Sequence, residues 1–224
     1  MSIAALIQAR TGSQRCPNKM LKNFCDTNLV NIALQKFAGT SQLFKLYFAA
    51  YEQDLIDIGQ NFDCNIIQRD EISAKADDIN LVFNYLHKIE EKHIMFINAC
   101  SPFLTLNTVE NAVSVFKSEK PKSLTAVVKK HTWYYFLDGK PINFFDPTNL
   151  NTKSSVPVWE VTHNIHIFSK ERFLKHYYFW SHSDNDPYFY EIDEMQAIDI
   201  DTEFDFYKAE SIYKRLKNDK ESII

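Results

Sequence analysis

Glycine is scarce in this chain, 4 residues in 224, and neither of the two familiar glycine-built phosphate loops occurs in it. The absence of GxGxxG excludes a dinucleotide fingerprint, and the absence of GxxxxGK[ST] excludes a Walker loop. Long hydrophobic runs are missing too: no window approaches the eighteen or so unbroken apolar residues of a membrane-spanning helix. The apolar stretch near the start is only about five residues long and no small-residue cleavage site follows it, so it does not read as a signal peptide. A cytoplasmic protein that engages no membrane is expected. The four cysteines, Cys16, Cys25, Cys64 and Cys100, show no CxxC spacing and no nearby histidine at metal-ligand intervals, which points to free thiols. An excess of basic charge is also lacking, the formal net charge being −4, and that argues against a nucleic-acid surface. Internal repeats and low-complexity segments are absent.

What is present suits a compact α/β protein. The hydrophobic fraction is 45%, with 18 Phe and 11 Tyr, enough for a sizeable core in one generous domain or in a main domain carrying a smaller lobe. The first twenty residues are the most informative stretch. An apolar run, Ile3 to Ile7, leads directly into a polar loop holding Arg10, Gly12, Ser13, Arg15 and Lys19, and no acidic residue appears before Asp26. Four cations, Arg10, Arg15, Lys19 and Lys22, therefore stand unopposed in the local sequence. This is a strand feeding an anion-binding loop.

Further along, apolar residues at helical spacing alternate with strand-like runs. Asp26 or Thr27 caps a helix whose apolar face is Leu29, Ile32, Ala33 and Phe37, and Gly39 stops it. Strands are expected at Leu43 to Ala50, Asn65 to Gln68, Ile94 to Ala99 and Ser123 to Lys129, with helices at Asp54 to Phe62, Asp77 to Glu91 and Asn107 to Lys117. That alternation is the sign of a mostly parallel sheet covered by helices on both faces. It breaks between about His131 and Val156, where aromatics mix with turn residues and Asp138-Gly139 signals a hairpin. The break reads as a small inserted β-rich lobe, within a segment at about 131–180. The aromatics Trp133, Tyr134, Tyr135, Phe144 and Phe145 form either a subunit interface or the lobe's own core. Strand is expected again at Val158 to Phe168 and Ile192 to Ile200, and helix at Lys170 to Phe179 and Phe204 to Leu216, before a frayed tail.

The loop after the first strand has the chemistry of a phosphate cradle. Ligands of open α/β sheets sit at the carboxyl ends of the strands, where a loop can aim backbone N–H groups at phosphates. Gly12 permits close backbone approach and Ser13 adds a hydroxyl. Arg10 and Lys19 bring charge, and Arg15 offers a bidentate fork.

The string IQARTGSQRCPNKML resembles the opening of the sugar-activating cytidylyltransferases, the superfamily of CMP-sialic acid, CMP-Kdo and spore-coat polysaccharide enzymes. Ala9, Arg10, Gly12, Ser13, Arg15, Pro17 and Lys19 fall on that pattern. At the other end of the chain AIDIDTEFDFYKAE, Ala197 to Glu210, resembles the sialic acid branch. The resemblance implies a Rossmann-like nucleotide-diphospho-sugar transferase fold in a single nucleotidyltransferase domain over 1–224, acting as a homodimer. It implies CTP held by Arg10 and Lys19, and Mg2+ held by Asp199 and Asp201. On a strand those two acids share one face, and both are hard oxygen ligands. It also implies that Arg69 and Asn80 lie beside the nucleotide and that Asn98 and Ser101, in the segment Ile97 to Thr105 at the end of a central strand, bind it too, Asn98 also reaching a sugar hydroxyl. Lys153, and Thr162 or Asn164 depending on alignment, are implied sugar contacts. Departures from the pattern are Asp70 for Pro, Asn98 for Gln, Cys100 for Asp and Leu104 for Arg.

His163 and His166, three apart in a strand, are expected to point to opposite faces and so not to share a metal. Asp205 is read as starting the last helix, where acids are favoured by the helix dipole. The expected reaction is transfer of CMP from CTP to an acidic or otherwise modified sugar, with release of pyrophosphate, the metal lowering the pKa of the attacking hydroxyl. The rivals are a glycosyltransferase-like enzyme that uses a nucleotide sugar, and a degenerate homologue that binds nucleotide without turnover.

Overall fold

The computed structural model describes residues 2–39, 42–144, 146–183 and 185–221, so Phe145 and the last three residues of the tail lie outside the described residues. Its frame is a seven-stranded sheet in the order β3-β2-β1-β4-β6-β5-β7. The strands are β1 (Ile3–Gln8), β2 (Lys45–Ala50), β3 (Asn65–Gln68), β4 (His93–Asn98), β5 (Ser123–Lys130), β6 (Val158–Ser169) and β7 (Tyr188–Glu191). All pairings are parallel except the two made by β6, which runs antiparallel between β4 and β5.

Strands buried on both faces read as continuous apolar runs, and β1 is the example. Ile3, Ala5 and Ile7 face one core with Leu29, Ala33 and Phe37 of α1 (Leu29–Phe37), Val109 and Phe116 of α5 (Leu106–Glu119) and Phe206 of α7 (Glu203–Glu221). Ala4 and Leu6 face a second core with Phe83, Tyr85 and Phe173, the last on α6 (Lys170–His176). Helices therefore cover both faces, as the alternation predicts. The α2 helix (Gln53–Gly59) adds Leu55 and Ile56 to the first core. Among the described residues no helix is long and apolar enough to cross a membrane.

Four local expectations differ from the structure, each for a physical reason. The cap of α1 is Asn28, whose side chain accepts from the Asn31 N–H at 2.9 Å, not Asp26 or Thr27; Gly39, at φ +62, does turn the chain just beyond the helix. The single helix expected over Asp77 to Glu91 is instead α4 (Ile79–Val82) followed by a 3-10 turn at Asn84–Lys88. Phe83 and Tyr85 are both buried in the same core, and residues two apart do not share a face of an α-helix. The strand expected over Ile192 to Ile200 is absent. Pairing stops after Ile192, whose N–H reaches Val127 O, and Asp193 then accepts from Met195 and Ala197 N–H in a turn. β7 lies just before it. Finally, strand β6 belongs to the main sheet, so the irregular segment is confined to about 131–157. The Asp138-Gly139 hairpin turn does form, with Phe136 N–H on Lys140 O at 2.8 Å and an isolated bridge between Tyr135 and Pro141.

At α7 the sequence reading holds. Asp205 accepts from the Thr202 N–H at 2.9 Å while Thr202 Oγ1 accepts from the Asp205 N–H at 3.2 Å, a reciprocal capping box.

Candidate active site

The carboxyl ends of β1 and β4 open into a cleft of about 600 Å³. Gln8 and Asn98, register partners on the two strands, both line it, and so does Phe96, two residues before Asn98 and hence on the same face. The loop after β1 forms one wall through Arg10, Gly12 to Arg15 and Lys19, and Asp201 closes the cleft from the far end of the chain. Gly12 borders open space in the cleft: a Cβ built on it meets no atom within 4 Å.

The loop is held from behind. Thr11 donates its N–H and its hydroxyl to Oε1 of Glu52, at 2.9 and 2.7 Å, and Ser13 Oγ accepts from the Cys16 N–H at 3.4 Å. Arg69 lies behind the loop as well. It is 2% exposed, donates to Ser73 Oγ at 2.9 Å and Ala9 O at 3.4 Å, and covers the Tyr85 ring. Arg69 therefore braces Ala9 against α3 (Glu71–Lys75) and does not line the cleft. Asn80 likewise is not on the cleft wall.

The four cations that stand unopposed in the local sequence are opposed in space by acids from elsewhere. Arg10 donates to the carbonyls of Ala74 and Ala76, each at 3.3 Å, and lies 3.7 Å from Asp77. Arg15 pairs with Asp201 at 2.9 Å, and Lys22 lies 3.6 Å from Glu203. Lys19 donates to Ile200 O at 2.6 Å and lies 3.7 Å from Asp201. Burial works against the Lys19 charge, yet the net shift is upward, with the carboxylates of Asp199 and Asp201 favouring the charged form. It stays an ammonium.

Asp199 and Asp201 sit in the loop before α7 and not at a strand end. Burial, with the like charge of Asp201 second, raises Asp199 to about 6, against opposing pulls from Lys19 and the Asn98 side chain. One Asp199 oxygen, Oδ1, is buried with no hydrogen-bond partner among the described residues. Ile200 N–H donates to Cys100 O at 3.1 Å, and this bond fastens the carboxylate loop to the end of β4. Cys100 lines the cleft, and burial pushes its thiol up to about 11. A neutral S–H thus occupies the position where the resemblance to the spore-coat and Kdo branches implies an Asp. All four cysteines are free.

The remaining sequence candidates are placed otherwise. Ser101 is 4% exposed and accepts at Oγ from Asn164 Nδ2 at 2.6 Å; Asn164 also donates to Gln196 O at 3.2 Å. Thr162 donates to Ala126 O at 3.3 Å. These three tie β6 to its neighbours and do not line the cleft. Lys153 is exposed in the 3-10 turn at Thr152–Ser154, away from the cleft lining. His163 and His166 do not point apart: Nδ1 of one lies 3.1 Å from Nε2 of the other. A bulge in β6 and a left-handed φ of +56 at His163 reset the alternation there.

The sequence reading missed Gln8, Phe96, Lys75 and Asp77 on the cleft wall. For Phe96 the signal was available, since it precedes Asn98 by two on a strand. Lys36 was missed as well. Its ammonium, buried beneath the turn after β4, donates to the carbonyls of Ser101, Pro102 and Leu104 at 3.3, 2.9 and 2.8 Å. No sequence pattern marks it.

The family model described as cytidylyltransferase matches residues 4–222, which spans both the loop after β1 and the carboxylates before α7. The chain belongs to the cytidylyltransferase family. Among curated relatives, the chain is 22% identical over 227 residues to the CMP-N,N'-diacetyllegionaminic acid synthase of Legionella pneumophila, covering 95% of this chain and 96% of that one. It is 22% identical over 197 residues to the 3-deoxy-manno-octulosonate cytidylyltransferase of Francisella tularensis subsp. novicida, covering 79% and 78%. Two solved structures share its fold. A CMP:2-keto-3-deoxy-manno-octonic acid synthetase complexed with CTP superposes with a TM-score of 0.69 at 12% identity, over 96% of this chain and 99% of that one. The 4-diphosphocytidyl-2C-methyl-D-erythritol synthase of Anaerococcus prevotii does so with 0.68 at 16% identity, over 95% and 96%.

Proposed function

We propose that this cytidylyltransferase transfers CMP from CTP to a hydroxyl of an acidic sugar, of the nonulosonic or related surface-polysaccharide class. The sugar oxygen forms a bond to the α-phosphorus of CTP, the bond from that phosphorus to the β-phosphate breaks, pyrophosphate leaves, and the hydroxyl proton passes to solvent. The observation that carries the reading is the meeting of two sequence ends: Lys19 of the cationic loop stands beside Asp201 on the wall of one cleft, with the charge of Asp199 also acting on it. Relatives named for CMP-sugar synthesis support it.

Phosphoryl transfer asks the protein chiefly for alignment and charge stabilisation. In this reading Arg10 and Lys19 exchange carbonyl and carboxylate partners for phosphate oxygens, and the Gly12-Ser13 backbone lines the triphosphate. Arg15 holds Asp201 in place. The donor set fits a hard divalent cation such as Mg2+, because Asp199 keeps a buried carboxylate oxygen without a partner and Mg2+ completes its shell with water and substrate phosphates around one or two carboxylates. Asp199 and Asp201 would be its protein ligands, one or two carboxylates being enough for Mg2+; among the described residues no three His, Cys, Asp or Glu side chains group at metal spacing. Bound there, Mg2+ would supply polarisation of the phosphoryl oxygens and neutralisation of developing charge.

The test is pyrophosphate release that requires protein, CTP and a sugar acid together. Nucleotide binding without release across a panel of sugar acids would instead favour a homologue without turnover, the reading that the neutral Cys100 thiol supports.

A further inference from the structure

The floor of the cleft continues past β4. On the next strand, His166 is the register partner of Phe96, and its ring stacks on Phe96 at 6.3 Å and 11°. His166 is 1% exposed, with the Phe179 and Trp180 rings at 5.2 and 5.1 Å. His163 follows on the same face, nearer the open edge of the sheet. β6 uses residues 162–165 where β5 uses only Ala126, and with φ at +56 the His163 ring comes to 5.2 Å from that of His166. His163 is itself exposed. A non-glycine residue held in this left-handed region is uncommon, and such strain concentrates where a side chain must be aimed.

The protons of this row can be assigned. Among the described residues the fully buried Thr125 hydroxyl has one partner, Nδ1 of His166 at 2.7 Å, and a buried hydroxyl hydrogen goes to the acceptor it has. Burial keeps the His166 imidazole neutral, so its single hydrogen lies on Nε2. That hydrogen is donated to Nδ1 of His163 at 3.1 Å. His163 then carries its own hydrogen on Nε2, the ring nitrogen not engaged by His166. Thr125 thus sets the polarity of His163 through His166.

The position is on the acceptor side. The phosphate loop and residues Ala74 to Asp77 occupy the β1 side of the cleft, and the carboxylate loop is fastened at the end of β4. His163 itself stands outside that lining, on the β6 side of β4, and joins the cleft through the Phe96–His166–His163 row of rings. We propose that His163 is a specificity-determining contact for the acceptor, a fixed N–H donor that takes an oxygen of the sugar acid, its carboxylate first. His166 and Thr125 are positioning residues that act through it. The inference rests on the reading that the second substrate is a sugar acid.

Two readouts on the full chain test it. In imidazole nitrogen NMR, the free protein should show His166 protonated at Nε2 and bare at Nδ1, and Thr125→Val should lose that order while Thr125→Ser keeps it. With CTP and Mg2+ present, adding N,N'-diacetyllegionaminic acid or 3-deoxy-manno-octulosonate should shift the His163 signals. In steady-state kinetics, His163→Ala should raise KM for the acid about tenfold, a change of about 1.4 kcal/mol, and leave KM for CTP within about twofold. His163→Asn retains an N–H donor and tolerates the left-handed backbone, so it should recover most of the loss. Silence of His163 toward both acids, a His166 hydrogen on Nδ1, or an unchanged KM for the acid in His163→Ala would overturn the proposal. A His163 shift without pyrophosphate release would sink the proposed reaction and leave the contact standing, whereas turnover with His163 silent would sink the contact alone.

Discussion

Asp199 carries an oxygen that the fold buries and leaves without a partner, a cost of about 1–3 kcal/mol or more for a charged group. Stability alone does not select such an arrangement, and residues of this sort cluster where function requires them. Asp199→Asn should therefore leave the melting temperature unchanged or raise it, while pyrophosphate release falls by about a hundredfold or more, as expected for an electrostatic contribution of roughly 3 kcal/mol. A variant that melts lower and keeps full turnover would make Asp199 a structural residue. The identity of these residues was legible in the sequence, because Arg10, Lys19, Asp199 and Asp201 sit in recognisable strings. Their pairing was not. The acids that neutralise the loop are some sixty to nearly two hundred positions away, at Asp77, Asp201 and Glu203, and only the topology of the sheet brings them back.

At the scale of elements, β6 is the least ordinary strand: antiparallel in a parallel sheet, bulged, and carrying a buried histidine. The apolar pattern of Val158 to Phe168 announced a strand but not its direction, and alternation placed His163 and His166 on opposite faces because a bulge leaves no mark in composition. The buried His166 also gives the strand a pH dependence. Burial, and next the neighbouring His163, depress it from 6.5 to about 3. His163 is the titratable group that touches it, with Phe96, Phe179 and Trp180 on its other sides. Between those two values the unfolded chain binds a proton that the folded chain does not, so stability falls as pH is lowered from about 6.5 toward 3. The slope from this group is about 1.4 kcal/mol per pH unit. Denaturant midpoints measured between pH 7 and 4 should show a steeper fall in the native chain than in His166→Phe; parallel slopes would contradict the buried neutral histidine. The helix after Asp77 breaks for a different reason: burying both Phe83 and Tyr85 in one core requires a tighter turn than an α-helix offers.

At the scale of the whole molecule, the fold was the most legible feature, since buried parallel strands and amphipathic helices write their periods into the sequence. The segment at about 131–157 was legible only as a break. It leaves Phe136, Leu137, Phe144 and Leu150 exposed, Leu137 fully, and apolar residues gathered on one segment mark an interaction surface. The homodimer that the family resemblance implies would cover it with a second copy of the chain. Sedimentation at micromolar concentration should give a mass near twice the 26.2 kDa of the chain, and Leu137→Asp with Phe144→Asp should halve it; a monomer at every concentration would refute the pairing. The central claim is chemical, and phosphorus NMR of the complete reaction tests it most directly. With protein, Mg2+, CTP and N,N'-diacetyllegionaminic acid or 3-deoxy-manno-octulosonate, the three CTP resonances should give way to one phosphodiester signal and one pyrophosphate signal of twice its intensity, and Asp201→Ala should abolish the change. CTP that stays intact with both acids, or that is lost to CMP without a phosphodiester, would contradict the account.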